Sequence, residues 1–167
     1  MLALTRTLLD ITLLSKGPEA IPRSWVMLGM SIALWSFALL AMLVLLVSFD
    51  LSDARVEILS AALGVGCYTF VLGAMGVLHR AVQTLAALIG IGALITLTVL
   101  AELILFIPLL GGDVAGLIAR VTWMWSIPVK GHIIARAINW PWIGGFVIAL
   151  SIFLLQFAFT KSMSPES

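Results

Sequence analysis

The segment from Trp25 to Phe49 contains no charged residue, and other long apolar segments follow it along the chain. Because an α-helix rises about 1.5 Å per residue and the hydrocarbon core of a bilayer is about 30 Å thick, roughly 20 such residues can cross it. The composition agrees, with 62% hydrophobic and only 10% charged residues, against about 25% charged residues in soluble domains. We therefore expect an all-α integral membrane protein.

The apolar segments divide the chain into helices of membrane-spanning length. A fifth segment, 114–129, is short and contains Arg120, so the sequence leaves open whether it spans. Counting it, we predict a membrane helical bundle over 23–161 and a flexible C-terminal tail over 162–167. The predicted spans of this five-span bundle are 25–49, 57–78, 82–107, 114–129 and 139–160.

The distribution of charges favours the five-span topology. With the N-terminus in the cytoplasm and 114–129 spanning, Arg80, Lys130 and Arg136 lie inside, whereas Glu57 and Asp113 lie outside. Basic residues are enriched in cytoplasmic loops, so this is the expected pattern. Without the fourth span, Lys130 and Arg136 would move to the outer face and the bias would weaken. We also expect Pro128 to kink or end this helix.

Residues 1–22 are expected to form a cytoplasmic interfacial segment rather than a cleavable signal. Arg6, Asp10 and Lys16 interrupt its apolar stretch, and no small-residue cleavage pattern follows. Leu8 and Ile11 lie on one face at helical spacing, which predicts a short interfacial helix. That helix either anchors the first span or binds a partner.

Glu102 and Arg120 form the predicted intramembrane charge pair, because they are the ionisable residues well inside predicted spans. Counted from Pro108 for Glu102 and from Asp113 for Arg120, both lie about 10 Å below the outer surface, so the two side chains can make contact. A lone charge in a bilayer costs several kcal/mol, which favours pairing or a polar cavity. The pair either joins two helices or lines a path for a proton, an ion or a substrate.

Small residues predict where two helices touch. Ala62, Gly66 and Gly73 in the second span, and Ala86 and Gly90 in the third, recur at helical spacing. Small side chains allow close approach of helix backbones in membranes. We therefore expect the second and third spans to pack against each other.

Basic residues on the cytoplasmic side predict a surface at the level of the lipid headgroups. Such a surface attracts anionic lipid, although the positive-inside topology alone accounts for the same charges. The residues of this cytoplasmic basic surface are His79, Arg80, Lys130, His132 and Arg136.

The sequence lacks the motifs of common enzymes and metal sites. It has no glycine-rich phosphate loop and no nucleophile beside a base, so we expect no enzyme and no cofactor. Its two histidines lie away from the carboxylates, and the single cysteine, Cys67, lies in an apolar segment, so no metal site is expected. A net charge of +1 gives no indication of nucleic-acid binding.

Three segments resemble bacterial members of the Yip family. They are YTFVLGAMGVLHRAVQTLAALIG from Tyr68, WSIPVKGHIIARAINWPWIGGFVIAL from Trp125, and LLSKGPEAIP before the first span. This resemblance covers about half of the chain. It implies a five-span helical bundle with a cytoplasmic N-terminal segment in a bacterial inner membrane, and it supplies no activity.

The sequence favours the first of two functions, and the second is the alternative. The first is a small non-enzymatic inner-membrane scaffold or accessory subunit, whose partners are membrane lipids and either another membrane protein or further copies of itself. The second is a transporter or channel component in which Glu102 and Arg120 line a polar intramembrane path. A contact between Glu102 and Arg120 in a dry interface would favour the first, and a water-accessible cavity the second.

Overall fold

The computed structural model describes residues 7–8, 10–45 and 51–163, with the backbone only for 51–54. This part of the chain is helical and contains no strand. Short 3₁₀ turns at Pro18–Ala20 and Leu78–Arg80 accompany the long helices. The helices are α1 (Trp25–Leu45), α2 (Leu51–Ala74), α3 (Ala81–Leu110), α4 (Gly112–Ile138) and α5 (Trp142–Met163).

Four segments are long and apolar enough to cross a membrane. They are Trp25–Leu45, Arg55–Ala74, Leu78–Leu110 and Trp142–Met163. Large apolar side chains cover the outside of the bundle, as at Phe70, which is 76% exposed. An apolar outer surface of this kind is suited to lipid rather than water. The helix that falls outside this group is α4, which contains Asp113, Arg120, Lys130 and Arg136.

The chain reverses where a residue adopts positive φ. Gly111, at φ 81°, separates α3 from α4, and Asn139, at φ 55°, ends α4 before Pro141. Glycine and asparagine are the residues that adopt this conformation most readily. Pro128 does not end α4, which continues for more than two turns beyond it. Its missing N–H cannot donate the helical hydrogen bond at this position.

The helices pack in the order α1, α3, α4, α5 and α2. We call the end of the bundle at Trp25, Ala81 and Ile138 the lower end, and the end at Leu110 and Gly112 the upper end. The expected packing of the second span on the third is not the main contact of α2, which lies chiefly against α5. A Cβ atom added at Gly66 would meet no atom within 4 Å.

A close helix crossing joins α4 to α5. A Cβ atom at Gly145 would collide with the carbonyl oxygen of Gly131, and one at Gly131 would lie 2.7 Å from Cα of Phe146. Only glycine allows the two backbones to come this close. This crossing ties α4, with its four charged residues, to the apolar helix α5.

The N-terminal segment packs into the bundle. Residues 7, 8 and 10–12 are helical, and Leu8 and Ile11 are completely buried. Leu8 lies against α3 at Gly90, and Trp125 on α4 donates a 3.2 Å hydrogen bond from Nε1 to the carbonyl oxygen of Thr12. The predicted apolar face of this segment is therefore covered by helices of the same chain.

Candidate functional site

A cavity of about 400 Å³ lies between α2 and the remaining helices, and we call it the central cavity. Polar and aromatic side chains from every helix contribute to its wall. These are Trp35 on α1, Glu57, Ser60 and Tyr68 on α2, Thr96 on α3, Trp123, Ser126 and Lys130 on α4, and Gln156 on α5.

The depth of the central cavity follows from the helix rise. Tyr68 and Lys130 lie six and eight residues from the lower ends of their helices, and Glu57 lies 17 residues from the end of α2. At 1.5 Å per residue, the wall extends from about 10 to about 25 Å above the lower end. This is the middle of a bundle whose membrane-spanning helices must cover about 30 Å.

Glu57 and Lys130 contribute opposite charges to this wall. Both side chains line the same cavity. In the described chain, however, the ion pairs within 4 Å are Lys16–Asp10 and Arg136–Glu19, so Glu57 and Lys130 do not touch. Glu57 is exposed and Lys130 is half-buried.

A hydrogen bond between α5 and α2 closes one side of the cavity. Gln156 donates from Nε2 to the carbonyl oxygen of Ser60 at 2.7 Å. Gly64, one turn further along α2, leaves room for this amide, because a Cβ atom there would lie 2.5 Å from Nε2 of Gln156. The amide of Gln156 is therefore held at the cavity wall.

The structure does not bring Glu102 and Arg120 together as an ion pair within the described residues. Glu102 accepts a 2.7 Å hydrogen bond at Oε1 from the hydroxyl of Thr122, and its buried Oε2 has no partner there. Arg120 is exposed on the outer face of α4. Neither side chain lines the central cavity.

The five residues predicted to form one basic surface separate into different environments. Lys130 lines the central cavity, well above the lower end. His132 is partly buried, and its Nε2 is buried without a hydrogen-bond partner in the described chain. His79 is exposed at the lower end, where Arg80 and Arg136 line a second cavity.

This second cavity, of about 580 Å³, is called the arginine pocket. It lies at the lower end, between the turn at Pro18–Ala20, the start of α3 and the end of α4. Its charged and amide-bearing wall residues are Glu19, Arg23, Arg80, Gln83, Arg136 and Asn139.

The placement of Glu57 and Lys130 in one cavity was not predicted from the sequence. Glu57 precedes Ile58 at the edge of an uncharged segment, which indicated a residue in an outer loop. The helical periodicity of α2 gives a possible signal, because Glu57, Ser60 and Gly64 follow one another at intervals of three and four residues. Those positions share a face, and all of them line the cavity.

The described residues contain no group of three or more His, Cys, Asp or Glu side chains placed to hold a metal ion. The comparisons add no relative: no family model, no curated protein and no solved structure matches this chain. The resemblance to the Yip family is therefore neither supported nor contradicted by them. The central cavity and the arginine pocket are the features from which function is inferred.

Proposed function

We propose that this chain is a non-enzymatic membrane transport component that binds a small zwitterionic or amphipathic molecule in the central cavity. The observation that supports this function is the position of Glu57 and Lys130, an acidic and a basic side chain that line one cavity and form no ion pair within 4 Å in the described chain. A zwitterion placed between them supplies both missing partners. Charges inside a membrane are costly unless they are paired or hydrated, so such a site favours a polar ligand or water.

The remaining wall suits a ligand that also has an apolar part. Trp35 and Trp123 offer aromatic surfaces, and Gln156 and Thr96 offer hydrogen-bonding groups. Ligand sites commonly combine an apolar wall with a few polar groups that orient the ligand. The cavity thus differs from the path predicted through Glu102 and Arg120, although the class of function is the same.

The proposal includes five spans with the lower end in the cytoplasm, and the length of α4 supports the fifth span. Its 27 residues rise about 40 Å, and it packs between α3 and α5. Arg23, Arg80 and Arg136 are grouped at the lower end, as the positive-inside rule expects for a cytoplasmic face. The resemblance to the Yip family supports a bacterial inner membrane.

Cysteine labelling in intact membranes tests whether water reaches the central cavity. The probe is a charged, membrane-impermeant thiosulfonate, and Cys67 is first replaced by serine. We expect Lys130→Cys to react and Leu155→Cys, on the exposed face of α5, to stay unreactive. An unreactive Lys130→Cys would overturn the proposed cavity function.

Filling the cavity provides a matched control. Gly92 lines the central cavity and Gly116 does not, and a Cβ atom at either would meet nothing within 4 Å. In the Lys130→Cys variant, the second substitution Gly92→Leu should slow labelling at least about tenfold, because the leucine side chain occupies part of the cavity. Gly116→Leu should leave it unchanged. Equal labelling rates in the two variants would contradict access through this cavity.

Ligand class is tested by the thermal stability of the purified protein with leucine and with lysophosphatidylethanolamine, a small and a large zwitterion. A ligand that binds only the folded protein raises its melting temperature. We expect at least one of them to do so, and Glu57→Gln or Lys130→Gln to abolish the shift. Lys161→Gln, at the far end of α5, should preserve it. The absence of any shift would contradict a zwitterionic ligand.

The second candidate function is a scaffold or accessory subunit that binds a helix of another membrane protein or of a second copy. The observation that favours it is the position of α1, which packs chiefly on α3. Phe37 on this helix is 60% exposed. Disulfide trapping of Phe37→Cys with a second copy, and no water access to Lys130→Cys, would favour the scaffold over the transport component.

A further inference from the structure

We propose that the arginine pocket binds a phosphate-bearing anion, either the headgroup of an anionic lipid or a free phosphate compound. This site is separate from the central cavity and does not depend on the transport function. Its basis is the convergence of Arg23, Arg80 and Arg136 from three parts of the chain. Guanidinium groups bind phosphate oxygens through paired, charge-assisted hydrogen bonds.

Each of the three arginines is held by one contact and keeps further donors. Arg80 donates from Nη1 to the carbonyl oxygen of Ala137 at 3.1 Å, which fixes it against the end of α4. Arg23 donates from Nε to Oε1 of Gln83 at a longer 3.4 Å. A guanidinium has five N–H donors, so each side chain retains donors for a ligand.

Gln83 shows that this end of the bundle is a defined site. It is only 8% exposed, and it donates from Nε2 to the carbonyl oxygen of Ile21 at 2.7 Å while its Oε1 accepts from Arg23. The segment before α1 is therefore joined to the start of α3 by a buried amide. This connection sets the position of Arg23 relative to Arg80.

The pocket has a net positive charge, because its three arginines outnumber its one acidic residue. Glu19 is the acidic residue of its wall, and its Oε1 lies 3.6 Å from Nη1 of Arg136. Both side chains are more than half exposed, and exposed ion pairs of this kind contribute little stability. A phosphate can therefore replace Glu19 as the partner of Arg136 at small cost.

The location and size of the pocket fit a headgroup. It lies at the lower end, where lipid headgroups surround the bundle in the proposed topology, and its volume of about 580 Å³ exceeds that of a phosphate. Anionic lipids accumulate beside such basic groups on the cytoplasmic face. A soluble phosphate compound would use the same arginines from the aqueous side.

The test is native mass spectrometry of the full chain in detergent micelles, titrated with phosphatidic acid or with phosphatidylcholine. Phosphatidic acid should bind more tightly. Arg23→Gln and Arg136→Gln should each weaken it about tenfold, the effect of one charge-assisted hydrogen bond. Glu19→Gln should tighten it severalfold, because it removes the carboxylate that competes for Arg136. Arg23→Lys keeps the positive charge but not the forked guanidinium, so its affinity for phosphatidic acid should lie between those of the wild type and Arg23→Gln.

Arg120→Gln is the matched control, since it removes an arginine outside the pocket. Equal binding of the two lipids, or equal weakening by Arg120→Gln and Arg136→Gln, would overturn the proposal.

Competition with inorganic phosphate and with glycerol phosphate distinguishes the two sources of the ligand. Displacement of phosphatidic acid by either supports a free phosphate compound, and displacement by neither supports a lipid headgroup. Arg23 and Arg136 are exposed, so their variants should fold, which a single elution peak verifies.

Discussion

Gln156 on α5 and Ser60 on α2 are joined by a hydrogen bond of 2.7 Å from the side-chain amide to the backbone carbonyl oxygen. It is the polar contact that ties α2 to its main neighbour across the wall of the central cavity. Ser60 itself is 7% exposed, so little water reaches this contact. Gln156 therefore contributes to holding α2 against α5 at the wall of the cavity.

The first prediction concerns Gln156→Leu. The variant should lower the free energy of unfolding by about 1 kcal/mol, the usual size of a hydrogen bond between membrane helices. Denaturation of the purified protein in mixed micelles measures it. Ser151→Ala is the matched control on α5, because that hydroxyl bonds only to the carbonyl of Val147 in its own helix. An equal loss in both variants would show that the contact with Ser60 contributes nothing.

The second prediction concerns the crossing of α4 and α5. Gly145→Ala should destabilise the protein, since the new methyl group would collide with the carbonyl oxygen of Gly131 and lie 2.6 Å from Cβ of Ala135. Overpacking of this kind costs about 1–3 kcal/mol.

Gly116→Ala on α4 meets no atom within 4 Å and should instead gain up to about 1 kcal/mol from helix propensity. Thermal unfolding of both variants in the same detergent gives the comparison. A Gly145→Ala variant as stable as Gly116→Ala would show that the helices separate easily at this crossing.

The helices could be predicted from the sequence because their signal is local. An uncharged segment such as Trp25–Leu45 is sufficient to indicate a membrane helix, and the four apolar spans were predicted in this way. The limits of α4 were less predictable, because a proline such as Pro128 can be accommodated inside a helix when the surrounding packing holds it.

The contacts between helices could not be predicted in the same way. Small residues favour close approach, but they do not say which helix approaches. Gly66 therefore suggested a close contact with α3, which is only a minor contact of α2, whereas Gly131 and Gly145 form a close crossing. The same limit applied to charged residues, since Glu57 and Lys130 are far apart in sequence and line one cavity only because of the packing order of the helices.

The third prediction concerns Glu102, whose Oε1 accepts a hydrogen bond from Thr122 while its buried Oε2 lacks a partner in the described chain. Thr122→Val should lower the free energy of unfolding by about 1–3 kcal/mol, the cost of removing a partner from a buried polar group. Thr122→Ser keeps the hydroxyl and should restore most of the loss.

Arg120→Gln tests the alternative partner of Glu102. Because Arg120 is exposed on α4, its loss should change stability by less than about 0.5 kcal/mol. Chemical denaturation of the three variants measures their free energies of unfolding and gives the comparison. A larger loss for Arg120→Gln than for Thr122→Val would restore the ion pair with Arg120 as the main interaction of this carboxylate.

The fourth prediction concerns the N-terminal segment, which can be part of the bundle or a separate element on the membrane surface. Leu8 is completely buried and packs against α3, whereas Leu13, one and a half turns later, is 73% exposed. If the segment is part of the folded core, Leu8→Ala should cost about 2–5 kcal/mol through the lost contacts and the cavity left behind. Leu13→Ala should cost almost nothing.

Limited proteolysis at Lys16 measures the same detachment of the segment, because a detached segment exposes this site to the protease. Leu8→Ala should therefore be cut faster than the wild type, and Leu13→Ala should be cut at the wild-type rate. Equal stability and equal cleavage in the two variants would mean that the segment lies free of the bundle and that α3 and α4 hold together without it.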